Sequence, residues 1–302
     1  MEEVDALYEG LETPLDPEGN FGALVALRDY RDGTNLTGLN PKQEKLLRHI
    51  GFSGHINSPV MMQMIQRDRW DILDAMLVAI NANDKRYPSH QFNVIPVARA
   101  RNLGIIGMKV FADGAMYSKY ADWTRDHEGV VRTVGTPELP SKPLIEYALT
   151  TPGIHTAIIG IGQISDDPLK CQLVQNYYAA QVEPESLSAD KRREIEKGAG
   201  LAKEGKTNYY QLPFRGLTPP ENIRTGGWQQ VELSWDSALA ATAPLLHYEV
   251  YREDQRIGVV PHQPQVTREP FRFQDTVRGQ WYSLVAVDQY GNRAESDRIE
   301  PV

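Results

Sequence analysis

Residues 47–55 read LRHIGFSGH, and this stretch decides how the fold of the chain is interpreted. Its β-branched and aromatic residues favour an extended strand. The glycine after Ser53 allows a ligand or another backbone to approach the strand's carboxyl end closely. Parallel α/β folds keep their active sites at that end of their strands. The stretch therefore predicts a strand of a parallel sheet that ends at a binding site.

Three further apolar runs extend the pattern downstream: Met76 to Ile80, Gly104 to Ala112, and Thr156 to Ile161. None of the runs alternates polar and apolar residues, which is typical of parallel strands covered on both faces. Segments with helical spacing follow the runs at Pro59 to Arg69, Phe92 to Asn102, Pro143 to Thr151 and Asp166 to Ala180. Ser165 is the predicted N-cap of the last helix. The succession predicts βα units and a parallel sheet.

The N-terminal part adds a weaker fifth strand at Val4 to Tyr8 and a helix at Phe21 to Tyr30. Residues 113–140 lack a clear period and predict a long loop over the carboxyl ends of the strands. Residues 183–215 are charged and contain three glycines, which indicates a helical and then flexible linker.

The chain changes character again from Gly216 onward, where short strands alternate with turn signals. The predicted strands are Gln230 to Trp235, Leu246 to Arg252, Arg256 to Val260, Phe271 to Asp275, Trp281 to Asp288, and one after Asn292. A segment of this size and pattern predicts a small β-sandwich with its alternating aromatic residues in the core.

Composition narrows the function classes. A net charge of -8 and a pI near 5.5 argue against a nucleic-acid surface, and the cluster at Lys191 to Arg193 is interpreted as a solvated helix face. Cys171 is the only cysteine, so no intramolecular disulfide, cysteine-based zinc site or iron–sulfur cluster can form, and a buried structural role is expected. No signal sequence or membrane-spanning run is visible, so the cytoplasm is the default expectation, and an upstream export signal would change it.

Three ordered motifs resemble the aldo/keto reductase family, in a bacterial branch with a GFSGH-type strand. They are RHIGFSGH at Arg48 to His55, GIIGMKVFADG at Gly104 to Gly114, and YALTTPGIHTAIIGI at Tyr147 to Ile161. The tail resembles a fibronectin type III module through GLTPPENI at Gly216 to Ile223, Trp235, and YEVYR at Tyr248 to Arg252. The resemblance implies the last four or five units of a (β/α)8 TIM-type barrel in residues 1–182, the linker 183–215, and the module in 216–302.

The family resemblance implies NADP(H)-dependent reduction of a small carbonyl substrate. The strands that carry the family's catalytic Tyr and Lys have no counterpart in this sequence, and only Glu9 falls near the position of the family's catalytic His. We therefore expect little carbonyl reduction by this chain alone, and a protein partner or upstream segment that completes the barrel.

The same resemblance implies a nicotinamide site at the strand ends. Ser53 stands where the family holds the carboxamide, with His55 in the same motif, and Gly54 replaces an Asn found in many relatives. Asn81 resembles the next carboxamide ligand, with Asn83 as a competing register. Met108 and Lys109 occupy the strand where other branches stack a Tyr on the ring.

A phosphate site is expected after the last strand. Gly160 and Gly162 lead toward the helix predicted at Asp166, whose free N–H groups suit a phosphate. Lys170 offers a positive charge for a 2'-phosphate, whereas Asp166 and Asp167 oppose it.

Two other function classes stay open. One is a non-catalytic scaffold, in which a degenerate half-barrel presents the sandwich to a partner. The other is a metal-dependent hydrolase, although the candidate ligands show no metal-binding spacing and no metal is expected. Those candidates are His49, His55, Asp84, His90 and His127.

Overall fold

The structure is a computed structural model that describes residues 20–68, 70–83, 89–114, 116–117, 135–202, 216–277 and 279–300. A parallel α/β region comes first, and two antiparallel sheets follow it. The predicted fold class is confirmed. Glu9, the strand at Val4 to Tyr8, Asp84, His127 and most of the 113–140 loop lie outside the described residues.

The α/β region alternates strands with helices in chain order. Its elements are α1 (Asn20–Asp32), β1 (Gly51–Gly54), α2 (Ser58–Arg67), β2 (Ala75–Ala79), α3 (Val94–Ala100), β3 (Gly104–Met108), α4 (Ser141–Leu149), β4 (Thr156–Ala157), α5 (Gln172–Ala179) and α6 (Ala189–Ala202).

The four strands form one parallel sheet in the order β1-β2-β3-β4, so β1 and β4 are its edges. One row across the sheet joins Ser53, Leu77, Ile106 and Thr156, and we call the side of this row the inner face. The opposite, outer face carries Met76 and Ile105, both fully buried against the helices. The core of the region therefore lies between the sheet and its helices.

The inner face departs from the expectation of strands covered on both sides. Ser53 and Thr156 are exposed, and Leu77 and Ile106 are only half-buried. β1 alternates exposed and half-buried residues along its whole length. An apolar run predicts a strand whose two faces can both be buried. It does not indicate whether both faces are covered in this chain.

The last βα unit also differs from its prediction. Only Thr156–Ala157 pairs as a strand, and the following helix begins at Gln172 with Cys171 as N-cap. Ser165 accepts a hydrogen bond from the Asp167 N–H at 3.1 Å, which forms a local turn. The residues that predicted a helix start at Asp166 make this turn instead, because Ser and Asp satisfy backbone donors in turns as well as in caps.

α1 closes the amino ends of the strands. The Arg31 guanidinium donates to the carbonyl oxygens of Asp71 at 3.2 Å and Ile72 at 3.0 Å. Asp74, just before β2, accepts from the Ile50 N–H at 2.8 Å and so links β1 to the same cluster. These contacts fix α1 to the end of the sheet opposite the predicted site.

The segment predicted as a linker contains α6, which packs on α4. The Arg192 guanidinium lies 4.0 Å from the centroid of the Tyr147 ring and donates to Thr151 Oγ1 at 2.8 Å. The Tyr147 hydroxyl, itself fully buried, donates to Glu196 at 2.8 Å and accepts from Gln91 at 2.8 Å. Arg192 is therefore part of a packed polar network and not of a solvated face.

The sandwich contains a three-stranded and a four-stranded antiparallel sheet, ordered β5-β6-β9 and β11-β10-β7-β8. Its strands are β5 (Glu221–Gly226), β6 (Val231–Asp236), β7 (Leu245–Arg252), β8 (Gln255–Pro261), β9 (Phe271–Asp275), β10 (Tyr282–Asp288) and β11 (Arg293–Glu295). Trp235, Tyr248 and Tyr282 are fully buried between the sheets. Strand β5 is missing from the sequence-based prediction because its polar and glycine residues show no strand pattern.

The sandwich docks on the outer helical layer. The buried Asn93 side chain donates to the Ala240 carbonyl at 3.0 Å and accepts from the Ala240 N–H at 2.9 Å. Gln66 donates to the Gln265 carbonyl at 2.8 Å, and Phe92 packs against the sandwich core. Both contact points lie on or just before α2 and α3, away from the two sheet edges.

Candidate functional site

The carboxyl ends of β1, β2 and β3 bring most of the predicted nicotinamide-binding residues to one rim. Gly54, Val78 and Gly107 lie side by side in the sheet, so the residues that follow them share this rim. His55 follows β1, Asn81 follows β2 by two residues, and Lys109 follows β3 directly.

Asn81 and Asn83 form the most specific feature of the rim. Asn81 is fully buried and Asn83 is 3% exposed. The Asn81 side-chain oxygen accepts a hydrogen bond from the Asn83 N–H at 2.9 Å, which joins the two residues in one turn. Asn81 Nδ2 and Asn83 Oδ1 are buried and have no hydrogen-bond partner among the residues that the structure describes. One unpaired donor and one unpaired acceptor therefore lie in the same buried turn, at a substantial desolvation cost.

His90 adds a third unpaired group near the same rim. Its ring is 1% exposed, and Nε2 lies 3.2 Å from the His55 carbonyl oxygen. A carbonyl can only accept, so Nε2 carries the proton, and Nδ1, which has no partner in the described part of the chain, is left as an acceptor. This contact places His90 next to the carboxyl end of β1. The sequence pointed to His90 only as a candidate metal ligand and not as a residue of this rim.

Ser53 and Gly54 have different roles in the structure. Ser53 is exposed on the inner face, where its hydroxyl is accessible to a ligand. A Cβ at position 54 would come too close to the Met61 side chain of α2, so a larger residue there would require that flexible side chain to move.

Met108 and Lys109 end the third strand. Met108 is 7% exposed, which leaves little of its side chain to form a stacking surface. Lys109 is half-buried and has a backbone φ of +59°, a conformation that turns the chain sharply after the strand.

The predicted phosphate site is only partly assembled. Gly160 has open space around it, and its carbonyl accepts from Asn176 Nδ2 of α5 at 3.1 Å. Gly162 has a φ of +62°, which favours glycine. Lys170, however, is largely exposed and pairs with Asp167 at 3.5 Å.

Cys171 also changes the chemistry at this helix end. It is buried, as expected for a structural cysteine. The N–H groups of Ser165, Val174 and Leu173 face its sulfur and lower the pKa of the thiol. Helix donors predicted to meet a phosphate are therefore directed at the cysteine.

The metal-hydrolase interpretation gains no support from the geometry. His49 has a 78% exposed side chain and lies 3.9 Å from Asp74, at the amino end of the strands. Within the part of the chain that the structure describes, no three His, Cys, Asp or Glu side chains come close enough to hold a metal.

Tyr117 is a rim residue that sequence reasoning missed. The Tyr117 ring lies 5.6 Å from the Phe111 ring. The residue before Tyr117 is Met116, whose sulfur lies 3.8 Å from Asn83 Nδ2. The Tyr117 hydroxyl is buried and has no partner within the described ranges, and burial raises the pKa of the phenol, so it stays protonated. No local pattern marks this tyrosine, because it follows the third strand without a recognisable spacing.

These groups fit one end of a nicotinamide cofactor better than the other. A carboxamide has a carbonyl that accepts and an NH2 that donates, which complements Asn81 Nδ2 and Asn83 Oδ1. At the position expected for the phosphates, the structure offers glycine backbone and open space. The cation expected there, Lys170, is already paired with Asp167.

Comparisons with solved structures find only distant likenesses. The chain is similar to aldo-keto reductase AKR11C1 from Bacillus halodurans, at 17% identity and a TM-score of 0.35 in the holo form, and 19% and 0.34 in the apo form. The holo match covers 52% of each chain, so this chain spans about half the length of those structures. The central fibronectin-III array of RIM-binding protein matches at 15% identity and a TM-score of 0.23, over 31% of this chain and 37% of its own.

No family model and no curated protein matches the chain. A search of the described helices for one long and apolar enough to cross a membrane finds none.

Proposed function

We propose that the rim formed by Asn81, Asn83, His90 and Ser53 binds the nicotinamide end of NADP(H), as part of an aldo/keto-reductase-type oxidoreductase that acts on carbonyl substrates. The observation that carries this proposal is the pair of unpaired amide groups in one buried turn. Burying a polar group without a partner costs about 1–3 kcal/mol, and a bound carboxamide would recover that cost at both asparagines.

The cofactor, when bound, supplies a hydride for reduction of a carbonyl. The chain's own residues hold the ring: Asn81 donates to the carboxamide oxygen, Asn83 accepts from its NH2, and Ser53 offers a hydroxyl from the neighbouring strand. His90 Nδ1 adds an acceptor beside them. Carbonyl reduction also needs a proton donor, and the only phenol described near the rim is Tyr117, whose raised pKa makes it a weak acid.

We therefore expect cofactor binding without efficient turnover by the chain alone. A positioned general acid contributes roughly 10²- to 10⁴-fold to such a reaction, and a completing segment or partner would have to provide it. Preference for NADP over NAD rests on the family resemblance, since Lys170 is already paired with Asp167.

Titration of NADPH fluorescence tests the proposal, with Asn81→Asp as the decisive variant. Aspartate keeps the oxygen that accepts from the Asn83 N–H but replaces the unpaired donor with an acceptor that opposes the carboxamide oxygen. We expect saturable binding in the low micromolar range for the wild type and at least about tenfold weaker binding for the variant, since about 1.4 kcal/mol corresponds to tenfold.

Asn35→Asp is the matched control. Asn35 is exposed, and its side-chain oxygen accepts from the Asn40 N–H at 2.8 Å, a contact that aspartate keeps. The substitution adds the same charge beside α1, at the other end of the sheet, and should leave NADPH affinity unchanged. Absence of saturable NADPH binding up to the millimolar range would favour the non-catalytic scaffold, with both variants indistinguishable from wild type.

A further inference from the structure

A cavity of about 480 Å³ lies between the α/β region and the sandwich, along the outer side of α3. Small-molecule sites have volumes in this range and combine an apolar lining with a few polar groups. Both regions contribute to the lining, which is mostly apolar. Its ring-bearing residues are Phe92, Pro96, Pro152, Pro244 and Pro264.

Four of these five rings belong to proline, which makes the lining rigid. A proline ring fixes φ and has almost no side-chain freedom to lose when a ligand packs on it. Phe92 adds an aromatic face, and aromatic rings pack well on one another in stacked or edge-on arrangements. Because a preformed lining lowers the cost of ordering on binding, this cavity favours a planar aromatic ligand over a flexible one.

Arg99 brings a positive charge to the cavity. A Cβ added at Gly153 would lie 3.7 Å from Arg99 Cδ, so the aliphatic part of Arg99 passes close to the residue that follows Pro152. The Arg99 side chain is 60% exposed, and its guanidinium lies 3.4 Å from the Glu185 carboxylate. An exposed ion pair of this kind contributes little to stability. Arg99 can therefore exchange Glu185 for the carboxylate of a ligand, which a guanidinium can bind through two hydrogen bonds.

A second guanidinium lies directly behind the lining. Arg192 donates to Gln91 Oε1 at 3.2 Å and to Thr151 Oγ1 at 2.8 Å, and both acceptors belong to residues that line the cavity. The carboxylate of this network, Glu196, accepts from the Tyr147 hydroxyl, which in turn accepts from Gln91. Arg192 is one hydrogen bond from the lining and Glu196 is two, so the charges of the network favour an anion in the cavity.

We propose that this cavity binds an aromatic carboxylate, with its rings against the prolines and Phe92 and its carboxylate on Arg99. Because both regions line the cavity, the bound ligand stabilises the docked position of the sandwich by mass action. The cavity lies outside α3, whereas the nicotinamide rim lies at the carboxyl ends of β1, β2 and β3. The proposal is therefore independent of cofactor binding.

Titration calorimetry with 2-naphthoate tests the proposal, and the uncharged 2-naphthamide is the matched ligand. We expect saturable binding of 2-naphthoate to the wild type on the order of 10–100 μM. The amide should bind at least roughly fivefold more weakly, since it cannot form the ion pair. Arg99→Gln should abolish this preference. Glu185→Gln should instead strengthen 2-naphthoate binding about two- to fivefold, because it removes the anion that competes for Arg99.

Arg272 and Glu232 provide matched controls for the charge. They form a comparable ion pair on the sandwich, where the Arg272 side chain is 55% exposed. Neither residue lines the cavity. Arg272→Gln and Glu232→Gln should therefore leave the affinities for both ligands unchanged.

Filling the cavity provides a readout that does not depend on charge. Ala100 is an exposed residue at the end of α3 that lines the cavity, so Ala100→Trp should place an indole in the space of the ligand. We expect 2-naphthoate binding to weaken at least about tenfold. Ala180→Trp is the matched control, because Ala180 is exposed just after α5 and does not line the cavity. Circular dichroism should show unchanged folding in both variants.

Absence of saturable 2-naphthoate binding to the wild type up to the low millimolar range would overturn the proposal. Equal wild-type affinities for the acid and the amide would overturn it too, as would equal losses of binding in Arg99→Gln and Arg272→Gln. The 2-naphthoate titration can be repeated on Asn81→Asp, and the NADPH titration on Arg99→Gln. Failure of this site and failure of the nicotinamide site are therefore distinguishable.

Discussion

The sandwich and the α/β region (α1 to α6), which we call the arc, differ in how completely their sheets are buried. In the sandwich, Trp235, Tyr248 and Tyr282 are fully buried between two sheets. In the arc, Met76, Val78 and Ile105 on the outer face are fully buried, but Ser53 and Thr156 on the inner face are exposed. Of the eight buried side-chain atoms without a hydrogen-bond partner among the described residues, seven lie in the arc and one, Trp235 Nε1, in the sandwich.

This difference indicates where buried polar atoms that could bind a ligand are concentrated. Native folds pair nearly all buried polar groups, so an unpaired one calls for an explanation. The sandwich satisfies its buried charge internally: Glu249 accepts from Arg256 at 2.7 Å and Tyr251 at 3.0 Å, and it also pairs with Arg293. The arc leaves Asn81 Nδ2, Asn83 Oδ1 and His90 Nδ1 without a partner in the described part of the chain, near one rim where a ligand could meet them.

The largest expected effect is on the closed core. Trp235→Ala should destabilise the sandwich by about 3–5 kcal/mol, because it removes a fully buried aromatic side chain and leaves a cavity. Urea denaturation followed by far-UV circular dichroism measures the loss. Trp228→Ala removes a 90% exposed tryptophan and should change the unfolding free energy by less than about 0.5 kcal/mol. Equal losses would contradict the assignment of the core.

The second effect concerns the contact between the regions. Asn93→Ala removes both hydrogen bonds to Ala240 and leaves the buried N–H and carbonyl of Ala240 unpaired. We expect the free energy of unfolding to fall by about 2–3 kcal/mol. Scanning calorimetry should resolve two transitions in the variant where the wild type shows one. Gln229→Ala, on an exposed sandwich turn, serves as the control and should retain a single transition.

A third, smaller effect depends on pH. Hydrogen bonding from Arg293, then from Arg256 and Tyr251, lowers the pKa of Glu249 from 4.5 to about 2, against the opposing effect of burial. Its stabilisation is therefore complete above pH 4.5 and is lost as the pH falls toward 2.

Glu249→Gln should lower the unfolding free energy at neutral pH by about 1–2 kcal/mol and flatten its acid dependence. The control Glu253→Gln changes an exposed side chain and should leave the curve unaltered. Identical pH profiles for wild type and Glu249→Gln would show that this network does not stabilise the sandwich.

The smallest effect separates function from stability at the rim. Ser53 is exposed, so Ser53→Ala should change the unfolding free energy by less than about 0.5 kcal/mol. NADPH binding should nevertheless weaken several-fold, because the hydroxyl is available to the carboxamide. A stability loss without a change in binding would mean that Ser53 has only a structural role.

Sequence reasoning located the parallel strands because their apolar runs are long relative to the strands themselves. Each predicted run includes residues of its strand, and β9 has the predicted bounds. The start of α5 could not be derived, because Ser165 and Asp167 cap a turn with the same hydrogen bonds that begin a helix. Arg192 was misassigned because its partners, Tyr147 on α4 and Thr151 just after it, are about 40 residues away in sequence.

The candidate site was predictable only in part. Asn81 and Asn83 were competing registers in the sequence, and the turn that joins them shows that both belong to the rim. His90 and Tyr117 reach the rim through tertiary packing, for which no local spacing exists. Glu9 lies outside the described residues and stays a prediction.

The most direct test of the amide pair compares NADPH with its 3-acetylpyridine analogue by titration calorimetry. The analogue replaces the carboxamide NH2 with a methyl group, so it keeps the acceptor for Asn81 Nδ2 and loses the donor to Asn83 Oδ1. We predict binding weaker by about five- to tenfold, the effect of one lost hydrogen bond at a buried acceptor. Equal affinity for the two compounds would contradict the assignment of Asn81 and Asn83 as the carboxamide site.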